Sequence, residues 1–109
     1  MAVALIVLAA VFVLAGVSKL AGVSVARENF ERWGMGDRQR LAVGVVEIAL
    51  ASVSVVGTGS SDTAVIAAVG ALALMAGALR THIRVHDKPK QYAPLIIVVT
   101  AALIVLVTV

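Results

Sequence analysis

Four long apolar runs separated by short polar segments set the pattern of this chain: Ala2 to Gly22, Leu41 to Gly57, Thr63 to Leu79 and Ala93 to Val109. A helix that crosses about 30 Å of hydrocarbon needs roughly 17–25 residues, and each run meets or approaches that length. The pattern therefore predicts an all-α fold, an integral membrane four-helix bundle, as a single transmembrane domain over residues 1–109. The expected helices run over about 2–22, 40–57, 62–83 and 93–109. The first run lacks a basic leading segment, and its apolar stretch is longer than that of a secretory signal peptide, so it reads as a spanning helix.

The polar segments have their own pattern. Between the first two runs, Ala26, Phe30 and Trp33 recur at helical spacing. This predicts a short helix over about 24–33 lying at the membrane surface, capped by Ser24, with Trp33 and later Tyr92 as interface anchors. Glu28 and Arg32 are spaced for an ion pair one turn apart. Gly34 and Gly36 end this helix, and Asp37 is placed to cap the next. The turn from Gly57 to Asp62 is short enough to make the second and third spanning helices antiparallel neighbours, with Ser61 or Asp62 as cap. Pro94 falls in the first turn of the last helix, where its missing N–H costs nothing.

Composition agrees with the pattern: 61% hydrophobic and 14% charged residues, with a mean hydropathy of +1.09. These values exclude a water-soluble domain. The chain has no cysteine, which excludes disulfides, thiol catalysis and thiolate metal sites. All nine Lys and Arg residues lie at or between the first and second helices, or the third and fourth. The positive-inside rule puts both basic loops in the cytoplasm and both termini outside, in the plasma (inner) membrane. So placed, the charge of +3 reads as topology and contact with anionic membrane lipid, not as nucleic-acid binding.

One residue breaks the pattern. Glu47 stands in the middle of an apolar run, where a carboxylate costs several kcal/mol unless it is paired or functional. It lies about 10 Å inside the start of its helix. Lys19 and Arg80 lie about one turn inside the same end of theirs, and a Lys19–Glu47–Arg80 cluster is expected. Small residues share faces with each charge and point to inward packing: Ala15 and Gly16 with Lys19, Gly44, Ala51 and Ser54 with Glu47, and Ala73, Ala76 and Gly77 with Arg80. The cluster is either a lock on helix register or a site, with Ser18, Ser54, Thr81, His82 and Trp33 as candidate ligand contacts. His82 and His86 are four apart, but no third ligand of matching spacing accompanies them, so no metal site is expected.

These residues resemble the DoxX-like/MauE group of small four-helix membrane proteins. The resemblance rests on Ala15-Gly16-Val17-Ser18-Lys19-Leu20, on Phe30 and Trp33-Gly34, on Val46-Glu47, and on Arg80-Thr81-His82 followed by a basic loop and Pro94. It implies a four-helix bundle serving membrane redox systems, as an accessory or quinone-linked subunit in thiosulfate or methylamine oxidation. Lys19, Glu47 and Arg80 are then the recurring polar positions, quinone is the implied cofactor, and an oxidoreductase is the implied partner. Fold transfers through such a resemblance better than function.

Two other classes stay open. A proton-coupled exporter of the small multidrug-resistance kind has this size and one membrane carboxylate, but carries it on the first helix with several aromatics, where this chain has four in all. A membrane enzyme would use Glu47 as acid or base on a lipophilic substrate, with Lys19 or Arg80 holding negative charge. Whether the chain forms a homo-oligomer is also open.

Overall fold

The computed structural model describes all residues, 1–109. It is helical throughout: α1 (Ala2–Ala21), α2 (Ser24–Arg32), α3 (Asp37–Gly57), α4 (Ser61–Arg84) and α5 (Ala93–Thr108). A single 3-10 turn, Pro89–Tyr92, leads into α5. The four long helices are apolar and long enough to cross a membrane, and the molecule's longest dimension, 38 Å, fits a bilayer with part of its headgroup layer. They pack as a ring, α1 on α3, α3 on α4, α4 on α5 and α5 back on α1, with α2 folded under α1 and α3. The ends that carry all the Lys and Arg residues gather at one end of the bundle, with the chain termini at the other.

The interior is built from small residues. Ala64, Ala67, Ala68 and Ala71 of α4 meet Leu5, Leu8 and Phe12 of α1 and Val98, Ala101, Ala102 and Val105 of α5. Bulkier side chains such as Val3, Ile6, Leu14 and Val107 point outward. This suits a bundle in lipid, where helices gain by close backbone approach and outward apolar groups need no cover. The tightest approach joins α1 and α3. A Cβ on Gly44 would stand 3.1 Å from Leu20 Cγ and 3.2 Å from the carbonyl oxygen of Gly16, and one on Gly16 only 3.0 Å from the carbonyl of Gly44.

Several local expectations are corrected. Ser24 is the first residue of α2 and its cap position is Val23. Asp37 begins α3, and the capping contact runs from the Gly36 N–H to the Gln39 side chain at 3.0 Å. Neither Ser61 nor Asp62 caps α4: Ser60 does, its hydroxyl oxygen accepting from the Thr63 N–H at 3.3 Å. In each case the residue one step earlier takes the extended backbone that a cap requires. The face of α4 bearing Ala73, Ala76, Gly77 and Arg80 is exposed, not inward. Alanine is abundant on both sides of this helix, so small-residue spacing alone does not choose the buried one.

The α1–α3 contact makes a direct prediction. Gly44→Ala should lower stability by about 1–3 kcal/mol through overpacking. Gly77→Ala, where nothing lies within 4 Å of the new methyl group, should leave thermal unfolding in detergent unchanged or slightly raised. Equal losses in the two variants would refute the close-packed seam.

Candidate functional site

Glu47 is buried on the inward face of α3, in line with Arg40, Gly44, Ala51 and Ser54. Lys19 of α1, one turn to the basic side of the Gly16–Gly44 crossing, reaches back across it to Glu47, one turn to the other side, with Nζ 2.8 Å from Oε1. The ammonium offsets much of the cost of enclosing the carboxylate. Glu47 Oε1 is wholly enclosed, and the Lys19 ammonium is its direct partner. Glu47 as a whole is only 5% exposed.

That carboxylate and its lysine line a cavity of about 600 Å³ between α3, α4 and the α2 segment. Phe30, Trp33 and Met35 close it at the basic end, and Val43, Leu74 and Met75 form apolar walls. Its rim is exposed and carries Gly77, Arg80 and Arg84. Lys19, Trp33 and Glu47 also border a second cavity of about 340 Å³ on the α1–α5 side, with Asn29, His82 and Gln91. The ion pair is the partition between the two.

The expected three-charge cluster is therefore a pair. Arg80 lines the same cavity but forms no ion pair and no hydrogen bond, because it lies two residues, about 200° of helical turn, from the inward position His82. Thr81 also lines the cavity, its hydroxyl donating to the Gly77 carbonyl at 3.1 Å. Ser18 and Ser54 do not line it. Their hydroxyls donate back along their own helices, to the carbonyls of Leu14 and Leu50 at 2.7 Å each. Ser54 lies about 10 Å beyond Glu47, towards the opposite end of the bundle. His82 is buried behind Trp33 and borders only the smaller cavity.

Two residues not singled out from the sequence hold the site together. Arg40 is buried, and its guanidinium donates to the Lys19 carbonyl and reaches Asp37 Oδ1 at 3.3 Å. It adds a second donor to a carbonyl that accepts from the Gly22 N–H at 3.3 Å, where α1 ends with Gly22 at φ +68°, a conformation that favours glycine. Glu47 and Arg40 thus hold the same residue of α1, one by its side chain and one by its backbone. Asp87 is the second. Its carboxylate accepts from Arg32 Nε at 2.8 Å and Trp33 Nε1 at 3.0 Å, and meets His82 Nδ1 at 2.5 Å. Its own N–H donates to the His82 carbonyl, made possible by His86 in the left-handed conformation at φ 54°. Arg32 therefore pairs with Asp87 and donates to Asn29, not with Glu28 as expected. Trp33 is more than an interface anchor: its ring packs edge-on against Phe30 and His82, and His82 against Tyr92. The sign of Asp87 in the sequence is that it is the one acid among the bases from Arg80 to Lys90.

A buried membrane Glu paired to Lys, beneath an aromatic α2 segment, is the arrangement to compare with known proteins. The sequence pattern of the DoxX-like family matches residues 3–105. The chain belongs to the DoxX-like family. No curated protein and no solved structure gives a significant match. Membership of this family agrees with the four apolar helices in making the chain a multi-pass membrane protein.

Two outcomes follow from these contacts. Lys19→Met leaves the Glu47 carboxylate enclosed without its counter-charge and should cost about 3–5 kcal/mol, whereas Lys19→Met with Glu47→Leu should recover most of it; unfolding in detergent measures both. Asp87 has a carboxyl held well below the usual range, first by the Arg32 hydrogen bond and then by those from His82 and Trp33, against a smaller opposing effect of burial. A depressed carboxyl contributes stability that is complete above its unfolded value, about 3.9, and is lost as the pH falls further. Thermal stability should therefore hold from neutral pH down to about pH 4 and fall below it, and Asp87→Asn should flatten that fall.

Proposed function

We propose that this DoxX-like protein is an accessory subunit of a membrane redox system that holds the head of a quinone in the cavity beside Glu47. The observation that carries the reading is the Lys19–Glu47 pair on the wall of an apolar cavity edged by aromatic rings. A hydroquinone hydroxyl is a suitable donor to the Glu47 carboxylate, and Lys19 is a donor to a quinone carbonyl. Phe30 and Trp33 offer ring faces and edges to a flat head. The open rim on the α4 side is suited to an isoprenoid tail leaving towards lipid. Three protein ligands for a metal are not gathered anywhere in the chain, and the reading needs none. The nine basic residues at one end favour a cytoplasmic position for the site and outer positions for both termini, in the inner membrane. In that orientation the exposed α2 surface faces a redox partner on the cytoplasmic side.

Trp33 is the only tryptophan and lines this cavity, so its fluorescence reports a ligand bound beside it. Short-chain ubiquinone or menaquinone analogues added to the protein in micelles should quench it saturably. Glu47→Gln should weaken that binding about tenfold, the loss of one charge-assisted hydrogen bond. Quenching that rises linearly with quinone and is the same in both proteins would be collisional, and would end the proposal.

A second reading draws on one further observation: Lys19 and Glu47 border both cavities. A single carboxylate between two compartments also suits a proton-coupled carrier. Proton flux across vesicles that Glu47→Gln abolishes would select it over the quinone subunit.

A further inference from the structure

The quinone reading uses the inner wall of the main cavity and leaves its rim unexplained. Two arginines stand there, Arg80 and Arg84, one turn apart on α4. At this end Lys19 pairs with Glu47, Arg32 with Asp87, and Arg40 with Asp37; among the bases without an ion pair, Arg80 and Arg84 are the two that line the main cavity. Neither Arg80 nor Arg84 belongs to any ion pair. Arg84 Nη2 donates to the Trp33 carbonyl at 2.7 Å, which fixes it over the cavity, and Arg80 has no hydrogen-bond partner. Like charges one turn apart on a helix repel by a few tenths of a kcal/mol, and nothing in the chain relieves them. With Lys19 offset by Glu47, the cavity lining carries two uncompensated positive charges, both at the rim.

Beyond the arginines the surface is apolar. Leu74 and Ala78 line the cavity beside them, and Gly77 leaves a gap with nothing within 4 Å of where a side chain would begin. Ala73 and Ala76 continue the exposed face towards the middle of the membrane. Paired guanidinium forks match the oxygens of a phosphate, and the gap at Gly77 is open to a chain of methylene groups. A free anion would use only the first feature. A soluble acidic partner would not use the second.

We propose that Arg80 and Arg84 together form a seat for an anionic phospholipid, its phosphodiester held between the two guanidinium groups and one acyl chain laid over Gly77. The lipid closes the rim of the cavity against the surrounding bilayer. This goes beyond the quinone reading and does not depend on it, since Glu47 takes no part.

Native mass spectrometry of the full chain released from detergent, with equal amounts of phosphatidylglycerol and phosphatidylethanolamine present, tests it. The wild type should keep phosphatidylglycerol in preference to phosphatidylethanolamine. Arg80→Gln with Arg84→Gln should lower the lipid-bound fraction about tenfold, as expected for loss of charge-assisted contacts. Gly77→Leu, which leaves both arginines in place, should lower it as well. Circular dichroism establishes that the variants keep their helices. Equal retention of the two lipids, or full retention in the double variant, would mean ordinary snorkelling of arginines to the interface and would overturn the seat. Displacement by inorganic phosphate would assign the site to a free anion, and a lipid-free dimer would assign the face to a second copy; either result also overturns it. Glu47→Gln should weaken quinone quenching and keep phosphatidylglycerol, so the two readings fail separately.

Discussion

The close crossing of α1 and α3 at Gly16 and Gly44 is the constraint on which the site depends. Without side chains at these positions the two backbones approach until each glycine's carbonyl would crowd the other's Cβ. That separation lets Lys19, one turn to the basic side of the crossing, reach across to Glu47, one turn to the other side. The same crossing brings Arg40 under the end of α1, where it takes the Lys19 carbonyl. In lipid, where apolar surface has no drive to associate, such backbone proximity and the polar contacts it permits supply much of what holds helices together.

The second constraint acts at the other side of the cavity. Asp87 joins α2 to the end of α4 by accepting from Arg32 and Trp33 while meeting His82. Each of these groups is anchored by something else: Trp33 by the Phe30 ring, His82 by Tyr92, and Asp87 itself by its backbone bond to His82. The network keeps the aromatic edge of the cavity in place, and it does so without touching Glu47. Lock and site thus share the Lys19–Glu47 pair, whereas Asp87 itself only positions the aromatic edge of the cavity.

Much of the architecture could be read from residue order. Four apolar runs of spanning length, a short turn at Gly57–Ser60 and nine bases confined to two loops leave few alternatives to an up-and-down bundle with one basic end. The inward face of α3 was equally legible, because Gly44, Glu47, Ala51 and Ser54 recur at helical spacing among bulky neighbours. On α4 the same rule failed. Alanine occupies both faces, and the stripe with Arg80 turned outward while Ala64, Ala67, Ala68 and Ala71 turned in. The caps at Val23, Gly36 and Ser60 each fell one residue before the polar side chain that spacing suggested, since a cap is defined by backbone conformation before side-chain chemistry.

The sequence by itself determined that this protein spans a membrane in four helices, that its charge lies at one end, and that one carboxylate is held inside. Those are consequences of local composition, because the bilayer judges each segment by its own hydrophobicity and length. Only the tertiary structure decided which cation meets Glu47, that Arg80 stands at the rim instead, and that Asp87 ties α2 to α4 across more than fifty residues of chain. Such partnerships depend on the rotation of each helix about its axis and on the distance between neighbours. Both are set by packing between segments, which the order of residues within one segment does not contain.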